Sequence, residues 1–143
     1  MLRTNTPRQL SHSDYRALGE FRYQIRRFQH FSEGAARAED LEPQQHQLML
    51  AIRAWDQPGG PTVGDLAAHL FLKHHSAVGL VDRLEERGLV NRARSEDDRR
   101  QVRVRLTEDG QSKLARLASV HREELRASGP LLVASLGALL EAL

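Results

Sequence analysis

A chain of 143 residues, 40% hydrophobic and 28% charged, is long enough to bury one core and too short for two domains of ordinary size. That balance excludes a disordered tail, and with no apolar run near 18 residues no segment is expected to span a bilayer. The formal charge is only +2 and cysteine is absent, which rules out disulfides, thiolate nucleophiles, thiol redox sensing and cysteine-ligated zinc.

Residues 1–10 read as a loose polar arm containing Pro7 and lack the apolar centre of a signal peptide, so the expected location is the cytosol. From Ser11 the pattern changes. Ser11 and Asp14 have the spacing of a capping box, and Leu18, Phe21, Ile25 and Phe28 follow at intervals of three, four and three. This predicts a long amphipathic helix ending near Gly34 or soon after, with Arg16, Glu20, Gln24 and Arg27 on its other face. The Phe stripe is then core or the surface of a partner helix. Pro43 suits the first turn of a second helix, from about Glu42 to Trp55, with Leu48, Ile52 and Trp55 on one side. DQPGGPT at 56–62 breaks the chain with two Pro and two Gly. Thr62 and Asp65 then repeat the capping-box spacing, and Leu66, Ala67 and Leu70 give the apolar face of a short helix ending near Phe71.

The next helix follows within a few residues and runs to Gly88, which stops it. Ala77, Val81, Leu84 and Gly88 share one face, and His75, Ser76, Gly79, Arg83 and Glu86 the opposite one. Two short helices joined by a tight turn, the second polar on its outer side, have the form of a helix-turn-helix. Two strands are predicted after it, Leu89 to Arg94 and Gln101 to Leu106; in the second, Val102, Val104 and Leu106 alternate with Arg103 and Arg105. They make a hairpin whose polar tip, Ser95 to Arg100, stands in solvent. From Lys73 to Arg105 nine Lys or Arg face six Asp or Glu, so the positive charge is concentrated here. A helix beside a basic hairpin fits duplex DNA, the helix in the major groove and the hairpin tip at the backbone or minor groove.

Thr107 with Glu108 and Asp109 starts another helix, expected to run to about Ala127 with Leu114, Leu117, Ala118, His121 and Leu125 inward and His121 as a hydrogen-bonded core histidine. Gly129 and Pro130 are expected to interrupt it. The tail beyond, LLVASLGALLEAL, is apolar nearly all round and is expected to bury against a second copy, beside the first helix.

The order of these elements, together with LVDRLEERGLVNR at 80–92, DDRR at 97–100 and LTEDG at 106–110, resembles the MarR family of winged-helix transcription regulators over nearly the whole chain. The resemblance implies a mainly α fold with a small β-hairpin wing, in a single domain over 1–143. Dimerisation helices would occupy about 11–36 and 107–143, and the winged helix-turn-helix that binds DNA about 42–106. It further implies a homodimer on a pseudo-palindromic operator in double-stranded DNA. Such a dimer usually represses and often lets go when a small organic anion or aromatic effector enters a cleft between the dimerisation and DNA-binding parts. Carried over position by position, Lys73, His74, His75, Ser76, Gly79 and Arg83 lie at or near DNA-facing positions of the recognition helix. Asp98 and Arg100 match the wing pair in which an acid braces an arginine, with Arg99 beside them. Two departures stand out: Lys73 occupies a place where a capping Ser is common, and Gly79 one where a longer polar side chain often reaches the bases.

Other readings were weighed against these. The basic hairpin has the alternative of a solvated strand edge, and Arg103 and Arg105 either touch phosphate or pair with Glu96 and Asp97. Arg26, His30, His46, Met49 and Trp55 are the candidates for an effector pocket, with a dimer-interface salt bridge as the competing role. The seven histidines show no metal-ligand spacing, and no phosphate loop, nucleophile elbow or tuned carboxylate pair is present, so neither metal, cofactor nor enzymatic activity is expected. A winged helix used for protein contact, and an architectural DNA-binding protein without effector, are the rival functions.

Overall fold

The computed structural model describes residues 8–95 and 100–142. It contains α1 (His12–Ala38), α2 (Pro43–Arg53), α3 (Val63–His69), α4 (His74–Glu86), β1 (Val90–Arg94), β2 (Val102–Leu106) and α5 (Glu108–Ala142). The chain divides into two units, one comprising residues up to 31 and from 122 onward, the other residues 32–121.

In the first unit α1 opens on the expected capping box. The Asp14 amide donates to Ser11 Oγ at 3.2 Å and the Ser11 amide to Asp14 Oδ2 at 2.8 Å. These bonds hold the Asp14 carboxyl below its ordinary range, the backbone one first. The inner stripe differs from the expected one: Gln24, placed above on the outer face, is only 7% exposed, whereas Leu18 is exposed. Helical geometry explains it, because Phe21, Gln24, Ile25 and Phe28 are spaced by three, one and three and share one side. The buried amide stays satisfied by donating from Nε2 to Glu20 Oε1 at 2.9 Å.

The larger correction concerns α5, which is one helix of 35 residues with Pro130 inside it. An interior proline removes one backbone hydrogen bond and crowds the residue before it through that residue's Cβ. Here the preceding residue is Gly129, which has no Cβ, so the helix continues. Beyond the proline α5 is apolar and wet: Val133, Leu136 and Leu140 share one side and Leu131 stands on the other, all exposed. An 18-residue window of this helix reaches a mean hydropathy of 1.2, enough by length and composition to cross a membrane, which corrects the expectation that no segment is that apolar.

The second unit is built on Leu41, Leu48, Met49, Leu66, Val81, Leu84, Val90, Val104 and Leu117. Pro43 begins α2, and Gln45 accepts from the Glu42 amide at 2.9 Å to close the helix start. The helix ends at Arg53, before Trp55, whose ring lies edge-on to His69 at 5.9 Å. The Thr62 and Asp65 capping box at the start of α3 forms as expected, with bonds of 3.0 and 2.9 Å. The hairpin pairs antiparallel from Val90 with Leu106 to Arg94 with Val102. Of the three apolar residues expected inward on β2, Val104 is fully buried, Leu106 half-buried and Val102 exposed. The 56–62 segment is tied to this strand. Gly59 and Gly60 take positive φ, the Pro61 carbonyl accepts from the Val104 amide at 2.8 Å, and Thr62 bridges to Arg103.

Candidate nucleic-acid interface

Ala77, Leu80, Val81 and Leu84 anchor α4 in the core of the second unit. Their burial turns Lys73, His74, His75 and Arg83 outward, all exposed, with Ser76 and Gly79 half-buried between them. Lys73 is the N-cap in extended backbone and makes no side-chain cap bond. The first amides of the helix therefore keep their donor capacity and the positive end of the helix dipole, an arrangement suited to phosphate. Gly79 has a definite neighbour. A Cβ built there would lie 3.5 Å from Arg83 Nη1, so the guanidinium from one turn further on leans back over the glycine.

The charge on α4 is sorted by Arg92, a residue the sequence reading did not single out. Its Nη2 meets Asp82 Oδ1 at 2.6 Å, its Nη1 meets Glu85 Oε1 at 3.1 Å, and its amide donates to Glu85 Oε2 at 3.0 Å. One strand arginine thus fastens β1 to α4 and offsets two acids that would repel DNA. The signal was present in sequence as two acids three residues apart on a helix face with an arginine on the following strand. From Leu66 to Val81 there is no acid at all.

Arg103 bonds within the chain, and Glu96 and Asp97, offered above as its partners, lie outside the described residues. It is half-buried, donates to the Gly60 carbonyl at 2.9 Å and to Gln101 Oε1 at 2.6 Å, and reaches Asp65 at 4.0 Å. The Gly-Gly loop folds over β2 and covers the side of the strand on which this arginine stands. Arg105 stays exposed and touches the Gly59 carbonyl at 3.3 Å. Arg94 and Arg100, at the two roots of the tip, are exposed. Asp98 and Arg99 lie outside the described residues.

Residues 39–101 match the family model of the MarR family. That segment is similar to the winged helix-turn-helix of the MarR family. Over 67 residues, 47% of its length, the chain is 42% identical to the HTH-type transcriptional regulator YfiV of Bacillus subtilis. The chain spans less than half the length of the curated relatives it matches. Among solved structures the fold is shared with a MepR mutant from S. aureus bound to an oligodeoxyribonucleotide, at 20% identity and a TM-score of 0.67 over 94% of this chain and 99% of that one. It is shared also with CouR from Rhodococcus jostii bound to p-coumaroyl-CoA, at 24% identity and a TM-score of 0.69 over 80% of each chain.

The LTEDG motif that follows β2 has a mechanical basis. The Thr107 hydroxyl donates to the Gly88 carbonyl at 2.6 Å and accepts from the Gly110 amide at 3.0 Å, while the Thr107 amide donates to the Leu89 carbonyl at 3.1 Å. A Cβ at Gly110 would fall 2.1 Å from the Leu89 carbonyl oxygen, so only glycine lets α5 start against β1.

The residues proposed for an effector pocket fall in both units. Arg26 and His30 are exposed and, with Tyr23, Arg27, Phe31 and Glu124, line an open cleft of about 430 Å³ in the first unit. Met49 is fully buried in the core of the second unit, and Trp55 packs near His69. His46, 6% exposed, faces His121 with ring centroids 5.0 Å apart. Burial first, and the neighbouring His121 second, hold His46 below its ordinary pKa of 6.5. His121 is hydrogen-bonded as expected: Nδ1 to the Leu117 carbonyl at 2.7 Å and Nε2 to Ser32 Oγ at 2.8 Å. A carbonyl only accepts, so in the neutral ring Nδ1 carries the proton and the serine donates.

Proposed function

We propose that this chain is a sequence-specific DNA-binding transcriptional regulator, a cytosolic homodimer that represses and is released by a small organic anion or aromatic effector. One observation carries the reading. The exposed N-terminal half of α4 presents Lys73, His74 and His75 on a stretch without acids, and the first acids beyond it, Asp82 and Glu85, are both held by Arg92. A groove-sized helix with this charge, flanked by Arg94, Arg100 and Arg105, matches the phosphate-lined major groove. The DNA-bound MepR mutant supports the ligand class, and CouR with its acyl-CoA supports an effector that is both aromatic and anionic.

The apolar side of α5 formed by Val133, Leu136 and Leu140 supports self-association, since a wet patch of this kind is stabilised by covering it. A two-fold pair would set two copies of α4 about 34 Å apart, one turn of DNA. A chain extracted only by detergent would instead assign that side to a membrane.

Selection of bound duplexes from a random pool tests the proposal, and a pseudo-palindromic consensus is the expected result. On the selected duplex, Lys73→Ala and Arg100→Ala should each weaken binding by about 1–3 kcal/mol, with thermal stability unchanged and a shallower salt dependence for a lost phosphate contact. An architectural protein would recover no consensus, and a protein-interaction module no duplex.

A further inference from the structure

Three helices end within the second unit in the same backbone device. After α1, α3 and α4 one residue turns left-handed: Asp40 at φ 58°, Phe71 at φ 56° and Gly88 at φ 71°. Each turn is closed by a pair of amide bonds. Leu41 and Asp40 donate to Ala36 and Arg37, Leu72 and Phe71 to Ala67 and Ala68, and Leu89 and Gly88 to Leu84 and Glu85, all between 2.9 and 3.3 Å. Glycine suits this position and aspartate tolerates it, but an aromatic side chain there opposes the backbone sterically. Phe71 gains no compensating burial, because it is 96% exposed. A strained turn that presents a bare aromatic ring has its use outside the chain.

The surroundings say what that partner is. Phe71 stands two residues before Lys73, the N-cap of α4, and the acid-free stretch around it holds His69, Lys73, His74 and His75. A ligand at the start of α4 has this exposed ring two residues from the N-cap, and the charge beside it selects a polyanion. Resting on the regulator reading above, we infer that Phe71 is a DNA-contact residue whose ring lies on an apolar element of the groove wall, a thymine methyl or a deoxyribose face, when α4 enters the major groove. Apolar contact with thymine methyls is an ordinary mode of readout. The contact adds affinity without adding a phosphate charge.

The test uses the whole chain and the duplex that the wild-type protein selects from a random pool. Phe71→Gly should raise the melting temperature by a few degrees, because the turn relaxes, and lower affinity about tenfold, with no change in the salt dependence. Phe71→Tyr should keep the affinity. Lys73→Ala, for comparison, should reduce the salt slope by about one. Replacing the thymines of the duplex by uracil separates the two groove elements. A loss for wild type but not for Phe71→Gly assigns the methyl, and no loss assigns the sugar. Wild-type affinity in Phe71→Gly overturns the inference while leaving the regulator reading intact. So does a lowered melting temperature, which would make the ring a support of the fold, and so does an equal loss in Phe71→Tyr. Altered self-association of Phe71→Gly at unchanged DNA affinity would make the ring a protein contact. Failure of the wild type to select any duplex removes the regulator reading and this inference together.

Discussion

Individual residues in the second unit divide into those that face outward and those that hold the outward ones in place. Lys73, His74 and His75 are presented, while Arg92 and Arg103 hold. The distinction rests on partners rather than on residue type, since Arg92, Arg103 and Arg105 of the strand sequences VNRAR and VRVRL engage the chain itself, Arg105 through the Gly59 carbonyl. Gly110 is the least replaceable position. With 2.1 Å between a built Cβ and a backbone oxygen, Gly110→Ala forces α5 and β1 apart, and a loss of about 3 kcal/mol is expected. Urea denaturation of the two proteins measures it, and equal midpoints would refute the close approach. Sequence alone did not give Arg92 or Arg103 their roles, because each depends on a partner brought in from another element.

Elements were legible wherever the determining signal is local. The capping boxes at Ser11 and Thr62, the proline opening α2 and the glycine ending α4 each act within four residues, and all stand where their spacing put them. Two elements were misread for opposite reasons. Gln24 is polar but falls in the middle of an apolar stripe, so polarity misplaced what periodicity alone would have placed. Pro130 is a breaker whose usual effect is cancelled by the glycine before it, so residue type outweighed context in the reading. The helix and hairpin of the candidate interface were legible as elements, but the bracing by Arg92 was not, because a partner from another element cannot be seen along one strand. The exposed side of α5 belongs to the element scale too. Deletion of residues 131–143 should abolish dimerisation, as followed by sedimentation, and a folded dimer of the truncated chain would rule that side out as the interface.

At the scale of the whole molecule, stability should depend on pH through His46. Its folded pKa lies below the unfolded value near 6.5 because burial, and then His121, disfavour the charged ring. Above that value His46 is neutral in both states and its contribution is fully present. As pH falls below it the unfolded chain takes up the proton first, and stability declines by at most about 1.4 kcal/mol per pH unit until the folded pKa is passed. Thermal melts between pH 7.5 and 5 should show this decline, and His46→Gln should flatten it. A parallel decline in the variant would place the effect elsewhere.

The junction of Leu89, Thr107 and Gly110 has one more implication. Because a carbonyl and an α-carbon meet there with no side chain between them, and a hydroxyl bolts the same corner twice, the hairpin and the opening turns of the last helix have no slack. The start of the last helix and the root of the hairpin are therefore placed by the same few backbone atoms, where a longer linker would have set them separately.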